Sequence, residues 1–304
     1  MRKLRTNKSA RLQSAMEYLM TYGWAILIIA VVLGALFSLG VFNGANFAPK
    51  APPGACQVFR PNGPGSTSFI NLEGVCSGEL PQYVAQFNGQ TSYIQTLQSI
   101  NLPTDSSWVF WMNPASFNPS WGNKGLFGSE GWGATTITAV LFSSDNVSFQ
   151  IGNSSGAAFA AVDPSAVLIN TWVQYILTIN QASHEIYLYR NGVRIASTSY
   201  LGSIGFNAPV KVTNNWNTYY NNQWSAVLFN GSIANLQLYN TSLSGPEVNA
   251  LYLEGISGAP IDLQNLVGWW PLNGNANDYS GNMNNGVPSN VVFTSSWESG
   301  YTTP

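Results

Sequence analysis

The chain has 304 residues, of which only 8% are charged and 13% are aromatic, with 11 basic against 13 acidic side chains and a formal net charge of −2. A chain with no basic excess has no face for a nucleic-acid backbone, which excludes that class of partner. Scarce charge, abundant glycine and many aromatics suit a β-rich exported domain better than a helical cytosolic enzyme.

The first feature along the chain is a basic segment, Arg2, Lys3, Arg5, Lys8 and Arg11, followed by nineteen uncharged and mostly apolar residues from Trp24 to Phe42. At about 1.5 Å per residue that run spans roughly 28 Å as a helix, close to the hydrocarbon thickness of a bilayer and too long for an ordinary signal peptide. Residues 13–43 are therefore expected as one helix that crosses a membrane or packs in an equally apolar bundle. Lys50 is the first base beyond it, so the positive flank is N-terminal and everything from about residue 44 is expected outside. Glu17 needs a cation, because a buried carboxylate costs several kcal/mol when unpaired.

The stretch Arg11, Leu12, Gln13, Ser14, Ala15, Met16, Glu17 resembles the class III signal of archaeal type IV pilin-like precursors. The resemblance implies a cytoplasmic leader of residues 1–12, cut between Leu12 and Gln13 by a prepilin-peptidase-like enzyme, with Glu17 fifth in the mature chain. It further implies that Glu17 pairs with the new amine of a neighbouring subunit in a filament core. Leu12 stands where the family usually has a small residue. Removing the leader leaves six bases against thirteen acids, about −7. The other readings are an uncleaved signal anchor, with Glu17 hydrated at headgroup level, and an ordinary signal peptide cut near residues 44–48.

Residues 44–80 read as a semi-rigid stem with Pro49, Pro52, Pro53, Pro61 and Pro64. Cys56 and Cys76 are expected to form a disulfide, closing a loop of roughly twenty residues for about 3 kcal/mol. Two cysteines and the single histidine, His184, make a poor zinc site.

From about residue 81 to the end, short apolar runs alternate with turn signals such as Asn88-Gly89, Asn113-Pro114 and Asn191-Gly192, which predict antiparallel strands folded into one sandwich. Tyr175, Leu177, Ile179 and Ile186, Leu188 place one face of each strand inward. The hairpin 171–193 resembles the central hairpin of laminin-G-like, concanavalin-A-like jelly rolls, and residues 84–94, 107–113 and 229–240 resemble other strands of that family. Leu243 to Val248 resembles its short helix, with Ser244 as cap, Pro246 in the first turn and Glu247 closing a capping box. Residues 266–282, with Trp269 and Trp270, resemble the opening of such domains, although they stand near the C-terminus. A circularly permuted all-β jelly roll, with Trp269 or Trp270 in its core, is the expectation; a truncated second copy is the alternative, but so short a piece cannot bury a sandwich core.

The hydrolases of this fold are expected to carry clustered carboxylates on one strand, whereas Glu130, Asp145, Asp163, Glu185 and Glu254 are dispersed, so no enzyme is expected. A hydrolase acting on polysaccharide is the least favoured alternative. Trp216, Tyr219, Tyr220 and Trp224, interleaved with amides, suit a loop that stacks on sugar rings; Trp121 and Trp132 in a Gly-rich loop are further glycan-binding candidates. The sequons at Asn146, Asn153, Asn230 and Asn240 are candidate N-glycosylation sites. Calcium, which the family resemblance implies at loop ends, has only Asp278 as a carboxylate beside Asn275, Asn277 and Asn282, a weak donor set. His184 is expected to be a solvated turn residue. The resulting expectation is a pilin-like surface protein displaying a glycan-binding or adhesive jelly roll. The alternative is a monomeric membrane-anchored lectin-like protein.

Overall fold

A computed structural model describes residues 8–38, 50–51, 57–58, 72–73, 80–102, 105–116, 124–129, 137–141, 146–213, 217–220, 223–226 and 228–304. The chain divides into a unit Met1–Phe47 and a unit Ala48–Pro304. Cys56, Cys76, Trp121, Glu130, Trp132, Asp145 and Trp216 lie outside the described residues.

In the first unit, helix α1 (Lys8–Ser38) starts within the basic segment, earlier than the expected start at residue 13; Lys8, Ala10, Arg11 and Leu12 are good helix formers. Of the apolar run expected to end at Phe42, only the part up to Ser38 is described, and among the described residues no helix is long and apolar enough to cross a membrane. The backbone at Leu12, Gln13 and Glu17 is helical; their side chains lie outside the described residues.

The strands of the second unit are, in chain order, β1 (Lys50–Ala51), β2 (Gln57–Val58), β3 (Leu72–Glu73), β4 (Leu80–Pro81), β5 (Val84–Asn88), β6 (Tyr93–Leu102), β7 (Ser106–Pro114), β8 (Lys124–Gly128), β9 (Ile137–Leu141), β10 (Val147–Gly152), β11 (Ala158–Val162), β12 (Val173–Asn180), β13 (Glu185–Arg190), β14 (Val193–Ser199), β15 (Phe206–Val212), β16 (Asn217–Tyr220), β17 (Gln223–Ala226), β18 (Asn230–Tyr239), β19 (Leu266–Trp270), β20 (Gly286–Ser289) and β21 (Val292–Thr294), with helix α2 (Gly245–Leu253) between β18 and β19. One sheet has the order β11-β10-β9-β8-β15-β6-β20 and the other β14-β13-β12-β7-β18-β5-β21, with β19 sharing the edge of β18 that also meets β5. All pairings in these two sheets are antiparallel.

Local chemistry sets the register. At the β13–β14 turn, Asn191 and Gly192 have φ of 49° and 76°, the left-handed pair that a two-residue hairpin requires and that Asn-Gly tolerates best. Asn88 Oδ1 accepts the backbone N–H groups of Gln90, Thr91 and Ser92 at 2.9–3.2 Å, fixing the β5–β6 turn. Glu247 Oε2 accepts from the N–H and hydroxyl of Ser244, both at 2.7 Å, and starts α2 at the expected place.

The period-two residues Tyr175, Leu177, Ile179, Ile186 and Leu188 all enter the core between the sheets. Trp108 is wedged edge-on between Phe127 and Phe206, with ring centroids 5.0 Å from each. The opposite face of the same sheet is also buried: Val109, Ile176 and Tyr239 pack with Val248 and Leu251 of α2 and with Leu266 and Trp269. Burying Val248 and Leu251 contributes about 1.5–3 kcal/mol each.

Residues 266–294 begin no second domain. β19 pairs with β18, β20 with β6 and β21 with β5, so this segment completes both sheets. Trp269 joins the cluster under α2 and Trp270 the core between the sheets, so both tryptophans are buried. Trp297 Nε1 donates to Pro81 O at 3.0 Å, which ties the last segment to β4.

Candidate functional site

The segment read as an aromatic loop is instead a short hairpin. Among the described residues β16 and β17 pair with each other and with no other strand, opposing Asn217 to Ala226, Thr218 to Ser225, Tyr219 to Trp224 and Tyr220 to Gln223. In this register Tyr219 and Trp224 occupy paired positions of the two strands, and Tyr220 is paired with Gln223. The apolar positions of this segment do not alternate in sequence, so the period-two signal for strands is missing from it. Trp216, Trp121 and Trp132 cannot be placed with this pair, since they lie outside the described residues.

The outer face of β6 and β20 carries a second feature that sequence reasoning missed. Tyr93, Gln95, Leu97, Val287 and Ser289 line an open depression of about 270 Å³. Leu97 is 74% exposed there. The signal was the alternation of Tyr93, Gln95 and Leu97 with the buried Ile94.

The acidic residues do not converge on a catalytic pair among the described residues. Asp163 is buried, and its Oδ2 accepts from the Tyr175 hydroxyl at 2.6 Å and from Arg190 Nη1 at 3.2 Å, while Oδ1 accepts from Ser165 N at 2.8 Å. Burial first, then the hydrogen bond to Asp163 and its charge, hold the Tyr175 phenol far above its ordinary range. Glu185 accepts from the Ser199 hydroxyl at 2.6 Å, and Glu254 caps the end of α2. His184 is exposed at φ 55°, the turn residue expected, with its ring 5.4 Å from that of Tyr200.

The calcium reading does not fit. Asp278 Oδ1 accepts from Trp269 N and Ser280 N, and Oδ2 from Asn284 N, each at 2.9 Å. Asn275 bonds to Tyr279 and Asn277, and Asn282 donates to the carbonyls of Leu266 and Val267. The carboxylate is spent on backbone N–H groups, and among the described residues no three His, Cys, Asp or Glu side chains cluster. Asp278 is a loop organiser that positions β19. Asp278→Ala leaves three backbone donors without their acceptor and should lower stability by about 2–4 kcal/mol in urea denaturation. Desolvation raises the carboxyl above its ordinary 3.8, against the backbone bonds that lower it. Its titration therefore contributes stability that is full below the unfolded-chain value and is lost as pH rises through the folded value, so the variant should have a flatter stability profile across that acid window.

The sequons separate by geometry. Asn153 is buried, its Nδ2 donates to Leu201 O at 2.7 Å and its Oδ1 accepts from Ser155 and Ala157, so this amide has no outlet for a sugar. The expectation at Asn153 is corrected: the side chain is an internal turn brace. Asn146 Nδ2 donates to Asp163 O at 2.8 Å, and Asn230 Nδ2 to the Ser116 hydroxyl at 2.8 Å. Asn240 is exposed on the bend after β18, the open site of the four.

Residues 88–249 match the Concanavalin A-like lectin/glucanases superfamily, more than half of the chain. Among solved structures, a putative carbohydrate binding protein from Bacteroides ovatus is 16% identical at a TM-score of 0.54, covering 71% of this chain and 61% of its own. The chain thus spans about three fifths of that protein's length. The heptameric SAP-like pentraxin of Limulus polyphemus is 11% identical, TM-score 0.49, with 69% and 94% covered. Domains LG4-5 of the mouse laminin alpha1 chain are 18% identical, TM-score 0.42, with 66% and 48% covered. No curated protein is similar enough to match. With its two antiparallel sheets, the short helix after β18 and the match over residues 88–249, this chain belongs to the Concanavalin A-like lectin/glucanases superfamily.

Proposed function

We propose that this chain is a non-enzymatic cell-surface protein whose lectin-like sandwich binds glycans and is displayed outside an archaeal-type cell on a pilin-like helix. The observation that carries the binding reading is the aromatic and amide-rich segment 216–224, whose Tyr219 and Trp224 stand at paired positions of a hairpin. Aromatic rings stack on pyranose rings and the neighbouring amides of Asn217, Asn221 and Asn222 are the residue types that hydrogen-bond sugar hydroxyls. Family membership supports this reading, as does the fold shared with the carbohydrate binding protein of Bacteroides ovatus. The test is a glycan array probed with the full chain in a detergent without sugar headgroups. Retention of a defined set of glycans supports the reading, and a flat array with an intact sandwich overturns it.

The helix carries the display half of the proposal. Met20, Trp24, Ile26, Leu27, Ile28, Ile29, Val31 and Val32 are all at least half exposed along α1, an apolar surface that water does not favour and that a bilayer or neighbouring helices would cover. Cleavage before Gln13 by a prepilin-peptidase-like enzyme would put Glu17 next to a neighbour's amine, with the stem held by the Cys56–Cys76 disulfide. Glu17→Ala is expected to abolish filaments or high-mass surface complexes, read by electron microscopy and sedimentation of surface preparations, while leaving the sandwich folded. Complexes that persist unchanged would show that assembly does not depend on Glu17 and would overturn the pilin-type reading.

A further inference from the structure

Asn240 follows the last residue of β18 and opens the triplet Asn240-Thr241-Ser242. The backbone there is held in a fixed bend. Asn240 N donates to Asn265 O at 2.9 Å, while the buried Ser107 hydroxyl of β7 donates to Thr241 O at 2.7 Å and accepts from Leu243 N at 2.9 Å. The Asn240 side chain takes no part in this clamp: the residue is exposed, and its carboxamide makes no hydrogen bond among the described residues. A rigid bend that presents a free carboxamide to solvent is an open acceptor in an exported chain.

The other three triplets are engaged in the fold. Asn153 is buried with Nδ2 on Leu201 O, so a chain that received a sugar there before folding could not close this turn. Asn146 and Asn230 are half-buried, and each spends Nδ2 on a neighbour, Asp163 O and the Ser116 hydroxyl. Ser148, the third residue of the Asn146 triplet, is itself fully buried. Asn240 also stands apart from the aromatic hairpin. β17 ends at Ala226, four residues before β18 begins, and β18 then runs ten residues to reach Asn240. At about 3.4 Å per residue that places Asn240 roughly 30 Å from the start of β18, where the hairpin joins it.

We propose that Asn240 carries an N-linked glycan and is the modified asparagine of the four. The step is an oligosaccharyl transfer from a lipid-phosphate-linked donor. Asn240 Nδ2 forms a bond to the anomeric carbon, and the bond from that carbon to the phosphate oxygen breaks. The lipid phosphate leaves with the electron pair, and Nδ2 gives up one proton. Ser242 supplies the hydroxyl that makes the triplet an acceptor. The proposal rests on the reading that the sandwich is displayed outside the cell, and it leaves the hairpin end of β18 clear of glycan.

The experiment uses the full chain made in a cell that N-glycosylates its exported proteins. Proteinase treatment of intact cells shows whether the sandwich is outside, and peptide mapping by mass spectrometry locates the sugar. Glycan should be found on the peptide that contains Asn240, and Asn240→Gln should remove the whole glycan increment from the intact mass. Ser242→Ala, which keeps the asparagine, should remove it too, whereas Ser242→Thr should retain it. Asn230→Gln should leave the increment unchanged. A bare Asn240 on a sandwich that the proteinase reaches overturns the proposal and leaves the display reading standing. A glycan increment that survives Asn240→Gln in full also overturns it, because the sugar then lies elsewhere. A sandwich protected from proteinase in intact cells sinks both readings together.

Discussion

Asp163→Ala should lower the stability of the sandwich by about 3–5 kcal/mol, the range for removing one member of a buried hydrogen-bonded charge pair. The residue follows β11 and is 1% exposed, with Tyr175 of β12 and Arg190 of β13 converging on one carboxylate oxygen. Without it the Tyr175 hydroxyl has no acceptor inside the core, the Arg190 guanidinium loses its ion pair, and the Ser165 N–H loses a bond. Asp163→Asn, which keeps an acceptor but removes the charge, should cost less than half as much. Tyr175→Phe in the Asp163→Ala background removes the orphaned hydroxyl, so the double variant should be more stable than the sum of the single losses predicts, with a coupling of about 1–3 kcal/mol. Urea denaturation of all four proteins measures this. Strict additivity would show that water enters and satisfies the phenol, and that the network holds the sheets together by packing alone.

That network illustrates which parts of the molecule are legible in its sequence. The β12–β13–β14 meander was readable because its determinants are local: period-two apolar residues, Val173 to Tyr189, closed by Asn191-Gly192 with both residues at positive φ. The start of α2 was readable from Ser244 and Glu247, three residues apart. Asp163 was read only as a dispersed acid, because its partners lie 12 and 27 residues away on different strands and no local pattern announces such a meeting. The burial of both faces of the β7–β12 region was also hidden. A run such as Trp108, Val109, Phe110, Trp111, Met112 is apolar at every position, and periodicity is silent about what covers the second face. The covering comes from α2 and β19, more than a hundred residues later. Asp278 shows the opposite error: oxygen-rich loop residues suggest a cation, and only coordinates reveal that the oxygens are already taken by Trp269, Ser280 and Asn284.

Trp224→Ala should weaken binding of the best array glycan by about 30-fold or more, and Tyr219→Ala by about 10-fold, without loss of thermal stability. The asymmetry follows from ring area: truncating an indole removes more stacking surface than truncating a phenol, and a central aromatic anchor is worth about 2 kcal/mol or more. Stability should be spared because, among the described residues, β16 and β17 pair with each other and with no strand of either sheet. Because Tyr219 and Trp224 stand at paired positions of the hairpin, the double variant should lose little more than Trp224→Ala alone; two rings that stack on the same sugar are not independent. Tyr220→Ala, at the position paired with Gln223, is the internal control and should change affinity by less than about threefold. Equal losses at Tyr219 and Tyr220 would mean that the hairpin presents both faces to ligand, or unfolds on truncation, and circular dichroism of the variants separates those two outcomes. No loss at Trp224 in a folded protein would move glycan recognition away from the hairpin altogether.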